Sequence, residues 1–383
     1  MQSAAVYQSI AKLFVRHPTR MTTLAILVGL TGCATRPTAA VLQPVAVQQA
    51  DGQSVDLLSV TNRNTVVNDN GFGSQWAETV RYEQYGFSVP RDRKDTQIKY
   101  PSNTPDPRRE FIVTEREVIT RDDLITRAIG AANFDGTVAV FVHGYNYSHQ
   151  EALYRAAQMS ADADMLTPPI LFSWPSTASV TGYVADRNAA LASRTELARL
   201  LRRLAAAPTV NRVVLFGHSM GGFLSMEAAR QLQLQGRDDA IAKLQIILAA
   251  PDIDVDVFRA QLRDLGPLSN PITLLVSKTD KALRVSSVIG GERVRIGQLD
   301  VNDPLTRNAA AAENVRVIDI STVESSDGLG HDRYTSLFRF GGDLERIDTS
   351  MRHGGTNVGA VIFDAAGIVV SSPFRLAGQL ARQ

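Results

Sequence analysis

The chain has 383 residues, of which 44% are hydrophobic and 21% charged, and it contains a single cysteine. This apolar fraction is enough for a substantial packed core, which excludes a disordered or collagen-like chain. With 40 basic and 39 acidic residues the formal net charge is +1, so no global field favours nucleic acid, and we predict no nucleic-acid partner. One cysteine can form neither an intramolecular disulfide nor a cysteine-rich metal site.

The N-terminus has the layout of a signal peptide, which we predict over residues 1–32. The first 20 residues include Lys12, Arg16 and Arg20 but no acidic residue. An apolar stretch over residues 21–32 then leads to Cys33. The stretch is shorter than the roughly 20 residues that a spanning helix needs. The segment Leu30–Cys33 reads LTGC and resembles the cleavage box of bacterial lipoproteins, in which the cysteine is lipidated. An ordinary secretory signal that contains a cysteine is the alternative.

The lipoprotein resemblance implies a protein of the cell envelope that contacts the membrane through a lipid on Cys33. Ala34 follows the cysteine, which by the same resemblance favours the outer membrane, facing the periplasm. Residues 33–52 contain two prolines, little charge and no periodicity, so we predict a flexible tether there.

From residue 53 onward short β-branched runs alternate with longer amphipathic segments, which predicts an α/β fold with a mostly parallel sheet and helices on both faces. The predicted buried strands are Val138–Val142, Ile170–Trp174, Val213–Phe216, Gln245–Ala249, Ile272–Val276 and Val315–Ile320. The predicted crossover helices are Gln150–Ala163, Tyr183–Ala206, Phe223–Gln235 and Asp254–Asp264.

Two earlier runs, Asp56–Val60 and Tyr82–Val89, are predicted to be edge strands. Pro90 directly follows the second run, and an edge strand tolerates proline at such a position. Residues 90–109 are rich in proline and charge and are predicted to form a surface loop. We expect the main domain over residues 53–345 and a C-terminal extension of unknown role over residues 346–383.

A candidate nucleophile follows the strand Val213–Phe216. Gly217, Ser219 and Gly221 form the pattern G-x-S-x-G between this strand and a helix. A serine exposed above a sheet needs a strained turn, and the flanking glycines avoid collisions there. A glycine-rich connection or a phosphate-binding turn is the alternative, although the P-loop lysine and the G-x-G-x-x-G spacing are absent.

A serine hydroxyl needs a base, and histidine is suited to that role near neutral pH. Of the six histidines, His17 lies in the signal, His143 and His149 precede the nucleophile, and His218 should point away from it. In the order serine, acid, histidine the base is therefore His331, with His353 as the reserve.

The acid that orients the histidine is expected just beyond a strand end. Asp280 follows the strand Ile272–Val276, whereas Asp252 and Asp254 follow the preceding strand. We favour Asp280 and leave Asp252 and Asp254 as alternatives, the latter also being suited to cap a helix.

The tetrahedral intermediate needs two amide donors. Met220 directly follows the nucleophile, and Tyr145 lies in the loop after Val138–Val142, where Gly144 frees the backbone to turn. We expect His143 to fix this loop by hydrogen bonds, because no second ligand stands at metal-binding spacing. We predict no metal site and no cofactor.

Five separated motifs resemble, in family order, the bacterial α/β-hydrolase family of unknown function (DUF900), described as esterase- or lipase-like. The motifs begin at His143, Phe172, Gly217, Ala249 and Asp280 and read HGYN, FSWPS, GHSMG, AAPDID and DKAL. The resemblance covers roughly residues 53–345, including the strand end Val60–Arg63. It implies an α/β-hydrolase fold with Asp280 as the acid and His331 as the base.

The first functional hypothesis is therefore a serine hydrolase that cleaves carboxylic esters through an acyl-enzyme, with a small-molecule ester as its partner. A short or soluble acyl ester is favoured because no insertion is long enough for a large lid. An acyltransferase or thioesterase could use the same triad. A non-catalytic binding or assembly module of the envelope is the alternative from another class. The sequence does not predict an oligomeric state.

Overall fold

The computed structural model describes residues 36–46, 52–66, 71–94 and 96–340, and the backbone of residues 362–364. The signal peptide, Cys33, His353 and most of the C-terminal extension lie outside these residues. The described strands are β1 (Gln53–Val66), β2 (Gly71–Val89), β3 (Ile112–Ile119), β4 (Thr137–Val142), β5 (Ile170–Ser173), β6 (Arg212–His218), β7 (Leu244–Ala249), β8 (Ile272–Val276), β9 (Val315–Asp319) and β10 (Ile362–Asp364).

The described α-helices lie between these strands along the chain. They are α1 (Arg121–Ile129), α2 (His149–Asp162), α3 (Tyr183–Ala206), α4 (Met220–Leu234), α5 (Asp238–Ile241), α6 (Val255–Leu265), α7 (Lys281–Ile289) and α8 (Pro304–Ala312). Short 3-10 segments cover Ala39–Leu42, Ile296–Gln298 and Arg333–Phe340.

All ten strands form one sheet in the order β10-β9-β8-β7-β6-β4-β5-β1-β2-β3. The pairs from β10 to β1 are parallel, whereas β1 with β2 and β2 with β3 are antiparallel. The six predicted buried strands and the four predicted helices are confirmed to within a few residues. Because the carboxyl ends of parallel strands lie along one edge of the sheet, the loops after β4, β6, β7 and β8 share that edge.

The apolar core lies on both faces of the sheet, as the continuous apolar strands predict. In β4, Val140 and Val142 belong to the cluster beneath α1, α3, α4 and α6, whereas Phe141 belongs to the opposite cluster with α2. Successive side chains of a strand point to opposite faces, so each central strand contributes to both clusters.

The edge-strand prediction was wrong. β1 is longer than Asp56–Val60 and lies between β2 and β5, and β2 lies between β1 and β3. The edge is taken instead by β3, which the sequence reading did not predict. β2 does end at Val89, directly before Pro90.

Part of the predicted tether contacts the folded body. Leu42 is fully buried in the α2-side cluster, the Val45 amide donates to the Val113 carbonyl at 2.8 Å, and the Tyr154 hydroxyl donates to the Val41 carbonyl at 2.7 Å. The flexible-tether prediction therefore does not hold for residues 38–46, because an apolar side chain there finds a place in the core. The described residues from Thr38 onward belong to one compact unit.

The C-terminal extension contributes a strand. The backbone of Ile362–Asp364 pairs in parallel with Val317–Asp319 of β9. In the described residues no helix is both long and apolar enough to cross a membrane.

Candidate active site

Ser219 lies in the turn between β6 and α4, in an unusual backbone conformation. Its φ of 54° and ψ of −121° belong to a region that costs a residue with a side chain on the order of 1–3 kcal/mol. The Ser219 amide donates to the Ala249 carbonyl at 2.9 Å, and its carbonyl accepts from the Asp252 amide at 3.1 Å. Backbone contacts with the end of β7 therefore hold the strained turn in place.

The two glycines of the G-x-S-x-G pattern are required by crowding. A Cβ on Gly217 would lie 2.6 Å from Ser225 Oγ and 2.8 Å from backbone atoms of the next turn. A Cβ on Gly221 would lie only 2.3 Å from the His143 carbonyl oxygen. No side chain fits at either position, so α4 can approach β4 and the turn closely.

His331 and Asp280 meet directly. His331 Nδ1 lies 2.7 Å from Asp280 Oδ2, and because a carboxylate only accepts, Nδ1 carries the hydrogen. Nε2 of the neutral ring is then the nitrogen that can take up a proton. Asp280 is fully buried, and its other oxygen accepts the Leu283 amide at 2.9 Å, which caps α7.

The loop that carries His331 is organised by Asp327. One carboxylate oxygen of Asp327 accepts the amides of Leu329 at 3.0 Å, Gly330 at 2.7 Å and His331 at 3.2 Å. The Lys281 amide, at the start of α7, donates to the Leu329 carbonyl at 3.0 Å. His331 and Asp280 therefore sit on segments that are joined by a backbone hydrogen bond.

Charges around His331 control its proton affinity. Burial by itself lowers the pKa of the ring, but the Asp280 carboxylate, through its charge and its hydrogen bond, and the charges of Asp327 and Asp252 raise the pKa of His331 to about 9. The protonated ring is stabilised by these carboxylates, as a general base needs when it holds a proton in the transition state.

The alternative acids have other partners. Asp252 forms a buried ion pair with Arg295 at 3.1 Å and accepts the hydroxyls of Tyr183 and Ser286, each at 2.8 Å. Asp254 caps α6 by accepting the Asp256 amide at 2.9 Å. Neither is bonded to His331, so the geometry selects Asp280 as its partner.

His218, the residue before Ser219, contacts the segment that carries His331. Its Nε2 lies 3.3 Å from the His331 carbonyl oxygen, to which it donates, and the two rings are 4.7 Å apart between centroids. Burial, followed by the charge of His331, lowers the pKa of His218 well below its usual value. His218 is thus neutral and packs the His331 loop onto the nucleophile turn.

The loop after β4 lies against the nucleophile. A Cβ on Gly144 would be 3.0 Å from Ser219 Cβ, so the segment that continues into Tyr145 passes close to Ser219. The Tyr145 hydroxyl donates to the Val180 carbonyl. On the other side, Met220 is the first residue of α4, whose amide has no carbonyl partner within the helix. The two predicted amide donors thus belong to segments that both adjoin Ser219.

His143 fixes the base of this loop. Its ring is fully buried and stacks on Trp174 with 4.9 Å between centroids. Its ring nitrogens lie 2.8 Å from the Gly144 carbonyl oxygen and 3.2 Å from that of Trp174. Burial, aided by the charge of Arg63, lowers the pKa of His143 to about 3, so the ring is neutral.

Two buried charges behind the loop were not predicted as site residues. The Arg63 guanidinium donates to Ser173 Oγ and to the carbonyls of Ser176 and Tyr147 at 2.9–3.1 Å. The carboxylate of Asp186, in the first turn of α3, accepts the Asn146 amide at 3.1 Å. Their sequence signal is weak: Arg63 is a single charged residue that follows a largely apolar run in β1, and Asp186 resembles an ordinary first-turn acid.

Within the described ranges no group of three or more His, Cys, Asp or Glu side chains is arranged to hold a metal ion. What the residues assemble is a strained serine, a histidine–carboxylate pair and a loop with backbone donors at one edge of a parallel sheet. The fold and this arrangement define an α/β hydrolase.

The comparison with protein families agrees. Residues 122–340 match the family described as "Alpha/beta hydrolase of unknown function (DUF900)", and because this is more than half of the chain, the chain belongs to that family. The family match begins at residue 122, whereas the motif resemblance begins at about residue 53. No curated protein sequence matches the chain.

Solved structures show distant likeness. Esterase Est22 is 12% identical over 79% of this chain and 80% of its own, with a TM-score of 0.32. A protein of Agrobacterium vitis S4 described as a hydrolase is 13% identical over 73% and 95%, with a TM-score of 0.32. YbtT, a type II thioesterase of yersiniabactin biosynthesis, is 17% identical over 59% and 97%, with a TM-score of 0.31.

Proposed function

We propose that the protein is a serine hydrolase that cleaves carboxylic esters, with short or soluble acyl esters favoured. Ser219 is the nucleophile, His331 the general base and Asp280 the residue that orients it. The observation that carries the proposal is the 2.7 Å pair of His331 and Asp280, tied through His218 to a serine held at φ 54°. A merely structural serine does not need this strain or this neighbour.

In the proposed reaction Ser219 Oγ attacks the ester carbonyl while its proton passes to His331 Nε2. The amides of Met220 and Tyr145 stabilise the oxyanion, and one such donor typically contributes ~3 kcal/mol in the transition state. The intermediate collapses as the alkoxide leaves with the proton from His331. Water then attacks the acyl-enzyme by the same proton route, which releases the acid and regenerates Ser219.

The test is burst-phase release from a chromogenic short-chain ester. We expect a burst in the wild type and none in Ser219→Ala, because the acyl-enzyme needs the hydroxyl. Ser193→Ala is the matched control, since Ser193 is a buried serine that bonds within α3 and to Asn62. Ester hydrolysis that survives in Ser219→Ala would contradict the proposal.

A fluorophosphonate probe separates the enzyme from a non-catalytic binding module of the envelope. Labelling of Ser219 in the folded protein supports the enzyme, whereas a folded protein that is never labelled favours the module. An acyl-enzyme that forms but reacts faster with an added alcohol, amine or thiol than with water would identify an acyltransferase, and preferential cleavage of thioesters would identify a thioesterase.

We also propose that the protein is anchored to the cell envelope by a lipid on Cys33, at the outer membrane facing the periplasm. The support is the LTGC sequence after a basic and apolar leader. Incorporation of labelled palmitate in the cell should occur in the wild type and disappear in Cys33→Ser. Equal labelling of the two would remove the proposal.

A further inference from the structure

A buried polar cluster adjoins the candidate site and has no part in the proposed reaction. It consists of Asp252, Arg295, Tyr183 and Ser286, each less than a tenth exposed. The Asp252 carboxylate accepts from Tyr183, Ser286 and Arg295 at 2.8, 2.8 and 3.1 Å. A buried ion pair is weak evidence for stability, because an apolar packing of similar volume often serves as well.

The cluster touches the nucleophile through the backbone. The amide of Asp252 donates to the Ser219 carbonyl at 3.1 Å, so the residue that collects the three side-chain donors also supports the strained turn. A shift of Asp252 would therefore move Ser219 directly.

The cluster also contacts the loop after β4 that contains Tyr145, which is called the oxyanion loop below. Tyr183, the first residue of α3, bonds to Asp252 through its hydroxyl and packs its ring edgewise on Tyr145, with 5.5 Å between centroids. Tyr145 carries one of the two proposed oxyanion amides. The position of this loop relative to Ser219 is thus linked to the same carboxylate.

A third connection leads to the acid. Arg295, paired with Asp252, directly precedes the short segment Ile296–Gln298. The Gln298 side chain at the end of this segment donates to the Asp280 carbonyl at 2.8 Å. Ser286, which bonds to Asp252, lies in α7, and Asp280 caps that helix. Two routes therefore join Asp252 to the residue that holds His331.

We infer that Asp252 is a positioning residue that sets the mutual placement of the nucleophile turn, the oxyanion loop and Asp280. The inference rests on the proposed function, since it concerns the same reaction. Asp252 does not touch the substrate in this role and acts through Ser219, Tyr145 and Asp280.

Tyr183→Phe is the mildest test, because it removes one hydroxyl and keeps the ring against Tyr145. We expect kcat for a short-chain ester to fall about five- to tenfold with KM nearly unchanged, since the oxyanion loop loses its tie but substrate contacts remain. Tyr154→Phe is the matched control: it also removes one tyrosine hydrogen bond to a partner inside the protein, but Tyr154 belongs to the opposite core cluster. Its kcat should equal that of the wild type.

Asp252→Asn is tested by the pH dependence of kcat/KM, which would not change if Asp252 only stabilised the fold. His331 is faced by the charges of Asp280, Asp327 and Asp252 and by neutral His218, so removing one carboxylate charge should shift the midpoint of the kcat/KM pH profile to lower pH. The Tyr183→Phe midpoint should stay at that of the wild type. If Asp252→Asn does not fold, Ser286→Ala takes its place with the expectation of lowered kcat.

Folded Tyr183→Phe and Ser286→Ala with wild-type kcat, or folded Asp252→Asn with wild-type kcat and pH midpoint, would overturn the inference while leaving the proposed function intact. A wild-type protein without Ser219-dependent activity would instead overturn both. The two failures are distinguished by the wild-type assay alone.

Discussion

Three histidines around the nucleophile turn have different proton affinities because their surroundings differ. Burial, followed by the charge of Arg63, lowers the pKa of His143 to about 3. Burial and the charge of His331 lower the pKa of His218. Only His331 contacts a carboxylate, and its pKa is raised to about 9. Of these three rings, His331 alone has the environment of a general base.

The raised pKa of His331 predicts an alkaline activity profile. A general base must be neutral before it accepts a proton, and the free ring loses its proton only as the pH rises through about 9. We therefore expect kcat/KM to rise about tenfold per pH unit from pH 6 to 8 and to level off above pH 9. A rate profile with a stable short-chain ester measures this, and a plateau already reached at pH 7 would contradict it.

Replacing the acid tests the same pair. Asp280→Asn removes the charge that stabilises protonated His331 and the acceptor that sets its tautomer, so kcat should fall by a factor on the order of 10³–10⁴. Asp303→Asn is the control, because Asp303 likewise caps a helix, α8, outside the site. Comparable losses in the two variants would mean that Asp280 acts only as a cap.

Sequence reasoning could propose His331 by elimination, because few histidines follow the nucleophile. It favoured Asp280 but left Asp252 and Asp254 as alternatives, since these residues follow neighbouring parallel strands whose ends meet at one edge of the sheet. Only three-dimensional contacts separate them: Asp280 points to His331, and Asp252 is occupied by Arg295 and Tyr183.

At the level of elements, the turn between β6 and α4 depends on the absence of side chains. Gly221→Ala would place a Cβ 2.3 Å from the His143 carbonyl oxygen, and backbone cannot yield as a side chain can. We expect a loss of about 3 kcal/mol or more in the free energy of unfolding, together with loss of ester hydrolysis. Denaturant unfolding followed by circular dichroism measures it.

Gly236→Ala is the control for this prediction. Gly236 has a φ of +66° with no atom within 4 Å of an added Cβ, so the change introduces backbone strain of about 1–2 kcal/mol without a collision. An equal loss of stability in the two variants would show that crowding at Gly221 is not the cause.

The elements that the sequence predicted well are those with an unambiguous pattern. β4 to β9 are short runs in which apolar residues predominate, and α3 is predicted over its full length. β3 was missed because its sequence, IVTEREVI, has three consecutive charged residues, Glu115, Arg116 and Glu117, in its middle. The helices α7 and α8 are short, and α8 contains four alanines in nine residues, which leaves little apolar periodicity to detect.

For the whole molecule, the described residues 38–46 before β1 are part of the folded body. Leu42→Ala in the full chain should lower the free energy of unfolding by about 2–5 kcal/mol, because the side chain is fully buried and its loss leaves a cavity. Leu305→Ala is the control, since Leu305 is 77% exposed and should change stability by less than about 0.5 kcal/mol. Thermal unfolding of both variants decides, and equal midpoints would refute the packing role.

The composition of residues 33–52 does not predict that Leu42 packs in the core. Proline and small polar residues are typical of a linker, and a single leucine carries no periodic signal. Its burial depends on the space between α2 and the first strands, which exists only after the distant parts of the chain have assembled.

The three-residue strand β10 has a consequence for solubility. Open sheet edges present unpaired amides and carbonyls that can recruit another chain. At one edge β3 carries Glu115 and Glu117, whose charges discourage such pairing. At the other edge, the backbone of Ile362–Asp364 pairs with Val317–Asp319 and so covers this stretch of β9. A chain that lost residues beyond 345 would therefore retain Ser219, Asp280 and His331 but would expose unpaired backbone groups of β9, and we expect self-association to limit its concentration in solution.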